Sequence, residues 1–374
     1  MSTEIHCIIP QLNVLLRHEL ASKILRPYFA RATVKGSEAQ DEAALLFSLF
    51  TVPWEIAPPV ASVTGLADGL ATAQDYWLRA DPLYLKADIT TLHYHSDEQP
   101  TAQSIALNTL QSVIVQLQAL LQPWKMCLHT PCAYRWYLSM PFQPTIKSIA
   151  PNTLQDAITP EMILDLFQMN RPLSKPEFCP NSRRLTDEER RLLGVNKYRS
   201  QSNNEAVGQK TPFRERSNIA GETVPWQRLF TEIQMVLHAA QLPFNTLWFW
   251  GGGCLPILSE VSVARSARLL KSTTYWQSIW ADHPLVHGLA QLQGYGVESL
   301  LSLSDCYETI CSPGRHLLML STQQAIANTV LLQKLFQAVK RSHIRRLWLY
   351  DARGRVYCLT PYLIRRFWRR GISL

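Results

Sequence analysis

The chain begins with a short apolar run, IHCIIP, that reads as a strand over residues 5–10 stopped by proline. Residues 12–28 then show the amphipathic spacing of a helix, and residues 38–50 show a second helical pattern. Pro53, Pro58 and Pro59 mark a turn-rich crossing. From Tyr76 the period changes: YWLRADPLYLKADITTLHYH alternates apolar and polar positions as strands do, with a turn expected at residues 80–82. A polar joint at 96–100 leads into a helical pattern over 101–121, and RWYLSM at 135–140 is a further strand. Strands and a helix within some ninety residues make a small α+β module.

Between residues 170 and 225 the chain turns polar and charged, as a linker or a long exposed insertion does. One helix start stands inside it, where Thr186 and Glu189 form a capping box ahead of Leu192 and Leu193. Order resumes with PWQRLFTEIQMVLHAAQL, where proline suits the first turn and Leu229, Ile233, Val236 and Leu237 line one face. Next comes NTLWFWGGG, an aromatic strand running into three glycines. Those glycines permit an abrupt turn, or close approach to a packed helix or a bound anion. Strand and helix patterns alternate to the end, with LLMLS and RRLWLYD as strands, which predicts α/β architecture with a mostly parallel sheet. The first strand has no local partner, so it should pair with strands from 245–250 or later.

Composition narrows the class. A chain of 374 residues with 47% hydrophobic and 10% aromatic residues is globular and long enough for two domains. No apolar run reaches the roughly 18 residues of a membrane span, and MSTEIHCIIPQL lacks the layout of a signal peptide, which together predict a cytoplasmic protein. The eight cysteines include no CxxC pair and read as reduced, small hydrophobes.

Charge is uneven. Residues 340–374 hold ten Lys and Arg against one acid, while the whole chain carries +8, so the remainder is close to neutral. Arg365, Arg366, Arg369 and Arg370 surround Phe367 and Trp368 in YLIRRFWRR. Such a patch is either a solvated face or a surface for an anionic small molecule or protein. Nucleic acid would suit the charge, but no nucleic-acid-binding motif is present.

Candidate chemistry is sparse. Gly251, Gly252 and Gly253, with Asn245 at the head of the strand, are the anion- or ligand-binding candidates, although neither GxGxxG nor GxxxxGK[ST] is present. His93 and His95 with Asp88 and Asp97 fall short of a fixed ligand set, and so do Asp282, His283 and His287. No metal site and no cofactor is predicted from these residues. No GxSxG elbow occurs, and the residues by themselves assign no catalytic group.

Three stretches in order, WLRADPLYLKADITTLHY, VPWQRLFTEIQMVLHAAQLPFNTLWFWGGG and WADHPLVHGLAQLQGYGV, together with the closing LWLYDARGRVYCL and RRFWRR, resemble the bacterial RpfE-type regulatory protein family. That family is related to archaeal-type cofactor-independent phosphoglycerate mutases. The resemblance implies an alkaline-phosphatase-like α/β core with an inserted small α+β domain. The corresponding division is core residues 1–75, inserted module 76–168, polar linker 169–224, and core residues 225–374 with the basic end. It also implies a Ser or Thr nucleophile between two divalent metals held by Asp and His. Here the place after the first strand reads Pro10, Gln11, Leu12, Asn13, and the first Asp of the chain is Asp41. Near the last strands Asp351 is followed by Ala352 and Arg353 rather than His. The expectation is a binding or regulatory protein that has lost phosphoryl transfer. The alternative is an active mutase or phosphatase using Mn²⁺, Mg²⁺ or Zn²⁺ at an unorthodox site.

Overall fold

The computed structural model describes residues 2–36, 41–54, 56–70, 72, 75–87, 92–94, 107–144, 146, 150–151, 224–256, 275–300, 307–351 and 354–365. They form two compact units, Met1–Pro58 with Pro256–Leu374, and Pro59–Leu255.

The first unit is built on a six-stranded sheet. In chain order its strands are β1 (Glu4–Ile8), β2 (Thr33–Gly36), β9 (Trp276–Trp280), β10 (Arg315–Met319), β11 (Arg346–Asp351) and β12 (Arg355–Leu359). Their spatial order is β2-β12-β11-β1-β10-β9. β11, β1, β10 and β9 run parallel, and β12 and β2 extend the sheet antiparallel. As expected, β1 pairs with late strands: Cys7 lies beside Leu318 on one side and Leu349 on the other.

Alternation along β1 sends Ile5 and Cys7 into one core with Leu318, Leu347 and Leu349. Helices Leu12–Leu15, Glu19–Phe29, Thr322–Ala327 and Thr329–Lys340 supply Leu12, Leu25, Phe29, Ala325, Leu335 and Phe336 to it. The single helical pattern read over residues 12–28 is therefore two helices, and the break falls at residues 16–18. Helices Glu42–Leu49 and Pro284–Leu292 pack against one another. Asp41 caps the first of these by accepting from Ala44 N at 2.6 Å.

His316 lies in this unit as a neutral ring. Its Nε2–H donates to Ser312 O at 3.0 Å, and its Nδ1 accepts from Ser278 Oγ at 2.8 Å. Burial holds its pKa below 6.5, and it does the same for His6 and His129. These imidazoles take up protons on unfolding before they do so in the folded chain. Their contribution to stability is thus complete above about pH 6.5 and is lost as pH falls below it. Urea titrations at pH 7.5 and 5.5 should show a lower midpoint at pH 5.5, with a smaller difference in His316→Gln. An unchanged difference in that variant would show that His316 does not contribute.

The second unit holds a four-stranded antiparallel sheet of β3 (Tyr76–Leu83), β6 (Cys127–Cys132), β7 (Arg135–Met140) and β8 (Thr246–Gly253), in the order β6-β7-β3-β8. Separately, β4 (Leu85–Ala87) pairs antiparallel with β5 (Leu92–Tyr94). One sheet face packs Leu78, Trp136, Leu138, Leu247 and Phe249 against Val113, Leu117, Leu229, Ile233 and Leu237 of helices Leu107–Leu121 and Trp226–Ala239. Helix Val60–Ala67 is buried from Val60 through Leu66, and its Ala61 packs with Trp77 and Tyr137.

Two expectations are corrected here. Residues 80–82 are not a turn: β3 runs straight through them, and Pro82 sits beyond Arg79, the last residue paired with β7, where a missing N–H is tolerated. The tryptophan-rich strand and the helix before it belong to the compact unit Pro59–Leu255, whereas the resemblance grouped them with the parallel-sheet core. A buried strand in either kind of sheet carries the same apolar run, so pattern alone does not assign it. The capping box at Thr186 lies outside the described residues.

Candidate functional site

Open parallel sheets bind ligands beyond the carboxyl ends of their strands. In the first unit that edge is laced by side chains. β1 runs out through Ile9 and Pro10 to Gln11, whose left-handed backbone (φ 57°) starts helix Leu12–Leu15. Thr322 Oγ1 donates to Pro10 O at 2.6 Å, tying the end of β10 to the end of β1. Ser321 and Gln324 form a capping box on helix Thr322–Ala327, and Gln324 Nε2 reaches on to Asp282 Oδ2 at 3.0 Å. The other Asp282 oxygen accepts from Leu300 N at 3.1 Å and from Ser299 Oγ at 3.4 Å. His283 Nε2 lies 3.1 Å from Glu42 Oε1, and His287 Nε2 lies 3.1 Å from Ala281 O. Two buried atoms near this edge have no hydrogen-bond partner among the described residues, Asn13 Oδ1 and His283 Nδ1.

The carboxylates at this edge are thus committed to protein donors. Asp282 acts as a clasp between β9 and β10, and Glu42 is paired with His283. Asp351 is buried at the end of β11. Among the described residues no group of three or more His, Cys, Asp or Glu is arranged to hold a metal ion. Asp282, His283 and His287 accordingly do not converge. Asp88, His95 and Asp97 lie outside the described residues, and of His93 only the backbone pairing with Lys86 is described.

The glycines are not a turn after the strand but part of it. Opposite them the register of β3 and β8 slips by one: Trp77 faces Gly253 while Arg79 faces Trp250. This is a bulge with Gly251 left-handed at φ 64°. The backbone approaches the start of helix Val60–Ala67 so closely that a Cβ on Gly251 would lie 2.9 Å from Val60 Cβ, and one on Gly253 would lie 2.4 Å from Pro59 Cβ. Of the partners open to these glycines, a packed helix is the one beside them. Asn245 is committed too: its Oδ1 accepts from Leu85 N at 2.9 Å and its Nδ2 donates to Leu85 O at 2.8 Å, pinning β8 to β4. Of the four arginines in the basic patch, Arg366, Arg369 and Arg370 lie outside the described residues. Arg365 is exposed and donates weakly to Lys340 O at 3.4 Å.

Sequence reading missed the charged centre of the second unit. Arg79 and Asp81, two apart on β3, share a face and are both buried. Asp81 Oδ1 accepts from Arg79 Nε at 2.9 Å and Nη2 at 2.6 Å, and Oδ2 accepts from Trp250 Nε1 at 2.6 Å. The guanidinium carbon lies 5.3 Å from both the Tyr137 and the Trp250 ring centroids. Burial pushes the Asp81 carboxyl up from its usual range, while Arg79, the Trp250 hydrogen bond and Arg135 pull it back. A second pair lies nearby: Asp68 accepts from Arg135 Nε at 2.8 Å and also from the Tyr137 hydroxyl. The sequence signal for the first pair is opposite charges at strand spacing inside WLRADPL.

Cys254 departs from the expected reduced state, since it is disulfide-bonded. Cys7, Cys127, Cys132, Cys311 and Cys358 are free. No helix among the described residues is long and apolar enough to cross a membrane.

The architecture defines a mixed α/β protein with a mostly parallel six-stranded sheet and a separate antiparallel sheet. Among solved structures it is similar to a cofactor-independent phosphoglycerate mutase from Thermoplasma acidophilum, at a TM-score of 0.40 and 10% identity, over 96% of this chain and 90% of that one. No family profile matches the chain, and no curated protein does.

Proposed function

We propose that this chain is a phosphoglycerate-mutase-like protein that has given up metal-dependent phosphoryl transfer and acts by binding, as a regulatory protein, with an anionic small molecule or protein as its partner. The observation that carries this reading is the content of the carboxyl edge. β1 empties into Pro10, Gln11, Leu12 and Asn13, which are uncharged, and Asp282 and Glu42 are already held by Gln324, Leu300 and His283. Two hard cations about 4 Å apart require several free anionic oxygens, and these side chains do not fit that demand.

The test uses the purified chain. Elemental analysis should find fewer than about one tightly held divalent metal per chain, as expected where hard cations lack carboxylate ligands. Added Mn²⁺, Mg²⁺ or Zn²⁺ should produce no conversion of 3-phosphoglycerate and no hydrolysis of a phosphate monoester. Stoichiometric metal, with turnover that a chelator abolishes, would overturn the proposal and make the chain a working mutase or phosphatase.

A further inference from the structure

The amino ends of the parallel strands carry a different arrangement from the carboxyl edge. Trp276, Arg315, Glu4 and Arg346, each the first residue of its strand, lie side by side across β9, β10, β1 and β11. His6, Trp348 and Tyr350 stand behind them on the same face. The Arg315 guanidinium lies over the Trp276 ring, 4.3 Å from its centroid, and its Nε–H donates to His6 Nε2 at 3.1 Å. That bond leaves the imidazole proton on Nδ1, which donates to the Tyr350 hydroxyl oxygen at 2.7 Å. The His6 ring is itself wedged edge-on to Trp276 at 5.2 Å and stacked on Tyr350 at 5.8 Å. Burial, reinforced by the Arg315 charge, holds the His6 pKa well below 6.5, so the ring stays a neutral acceptor for the guanidinium.

Arg315 is thus fixed at Nε and along one face, and Glu4, whose Oε1 lies 3.9 Å from His6 Nε2, offsets its charge only at a distance. Among the described residues no carboxylate forms an ion pair with it. The nearest acid across the ladder, Glu4, accepts from Trp348 Nε1 at 2.6 Å and lies 3.8 Å from Arg346. No protein acceptor among the described residues meets the Nη1 and Nη2 groups of Arg315. Arg346 and Lys35, the latter 5.8 Å above the Trp348 ring, add positive charge to the same face. A half-buried guanidinium with its plane set and both terminal nitrogens free is a fork that matches an oxyanion in bidentate fashion. Because the fork is already ordered, little entropy is lost when it binds. The Tyr350 hydroxyl, an acceptor toward His6, retains its own proton for donation.

We propose that Arg315, set by His6 and Trp276 and flanked by Tyr350, is a binding site for the terminal carboxylate or phosphate of a small molecule. This site lies at the opposite end of the strands from the carboxyl edge and stands whether or not phosphoryl transfer is lost.

Isothermal titration of the full chain with inorganic phosphate and with acetate, at constant ionic strength set by chloride, should show saturable binding of at least one. The preferred probe tells the two sources apart. Arg315→Gln should weaken that binding at least tenfold, and Arg346→Gln, at the rim, by no more than about threefold. A second measurement requires no variant: phenylglyoxal modification of the wild-type chain, read by mass spectrometry, should be slowed at Arg315 by the bound probe and unchanged at the exposed Arg228. Binding of neither probe, binding that survives Arg315→Gln, or equal protection of Arg228 would overturn the proposal.

Discussion

Arg79→Leu is expected to be the most damaging single substitution in the second unit, costing about 3–5 kcal/mol, because removing one partner strands the other as an uncompensated buried charge. Asp81 would keep the Trp250 indole N–H as its hydrogen-bond donor, with Arg135 acting on it only at a distance. Burial already pushes its carboxyl upward, so without the guanidinium it must either remain charged in an apolar layer or take up a proton. The two rings that sandwich the guanidinium, Tyr137 and Trp250, would lose their cation as well. Replacing both partners, Arg79→Leu with Asp81→Leu, should recover most of the loss, since a buried ion pair is roughly exchangeable with apolar residues of similar volume. Urea denaturation of the two variants decides the matter. A double variant as unstable as the single one would show that the pair does more than satisfy itself.

The second large effect belongs to the glycine bulge. Gly251→Ala should destabilise by about 2–4 kcal/mol, combining roughly 1–2 kcal/mol for a side chain in the left-handed region with the cost of overpacking. The new methyl would meet Val60 Cβ at 2.9 Å. Gly294 separates the two contributions: its φ is 73°, and a Cβ there meets nothing within 4 Å, so Gly294→Ala reports the backbone cost alone. Gly253→Ala carries both costs, because its φ is 159° and Pro59 Cβ at 2.4 Å and Pro59 Cα at 3.1 Å stand in the way, the latter being backbone. Thermal unfolding should rank Gly294→Ala mildest. Equal losses at Gly251 and Gly294 would mean that the contact with helix Val60–Ala67 relaxes freely.

These glycines show where sequence reading stops. The strands themselves were legible: residues 5–10, 135–140 and 345–351 became β1, β7 and β11 within a residue or two, and the amphipathic stretch after Pro225 became helix Trp226–Ala239. Local periodicity fixes such elements. It does not say which sheet receives a wholly apolar strand: β8 lies in the antiparallel one, with its glycines against Pro59 and Val60. Nor could spacing reveal the setting of Arg315, whose companions His6, Trp276 and Tyr350 come from three other strands. Arg79 and Asp81 differ, for their pairing is written two residues apart.

The pairing of β1 also governs how this chain emerges from the ribosome. Residues 4–8 find their neighbours only in residues 315–319 and 346–350. At about 5–20 residues per second, synthesis leaves the first strand waiting on the order of 15–60 s for its first partner. Every strand of the antiparallel sheet is complete by residue 253, so that sheet can close while the parallel one still lacks its centre. An apolar ribbon with two open edges is meanwhile exposed to the cell, and holding it out of trouble falls to whatever binds nascent chains.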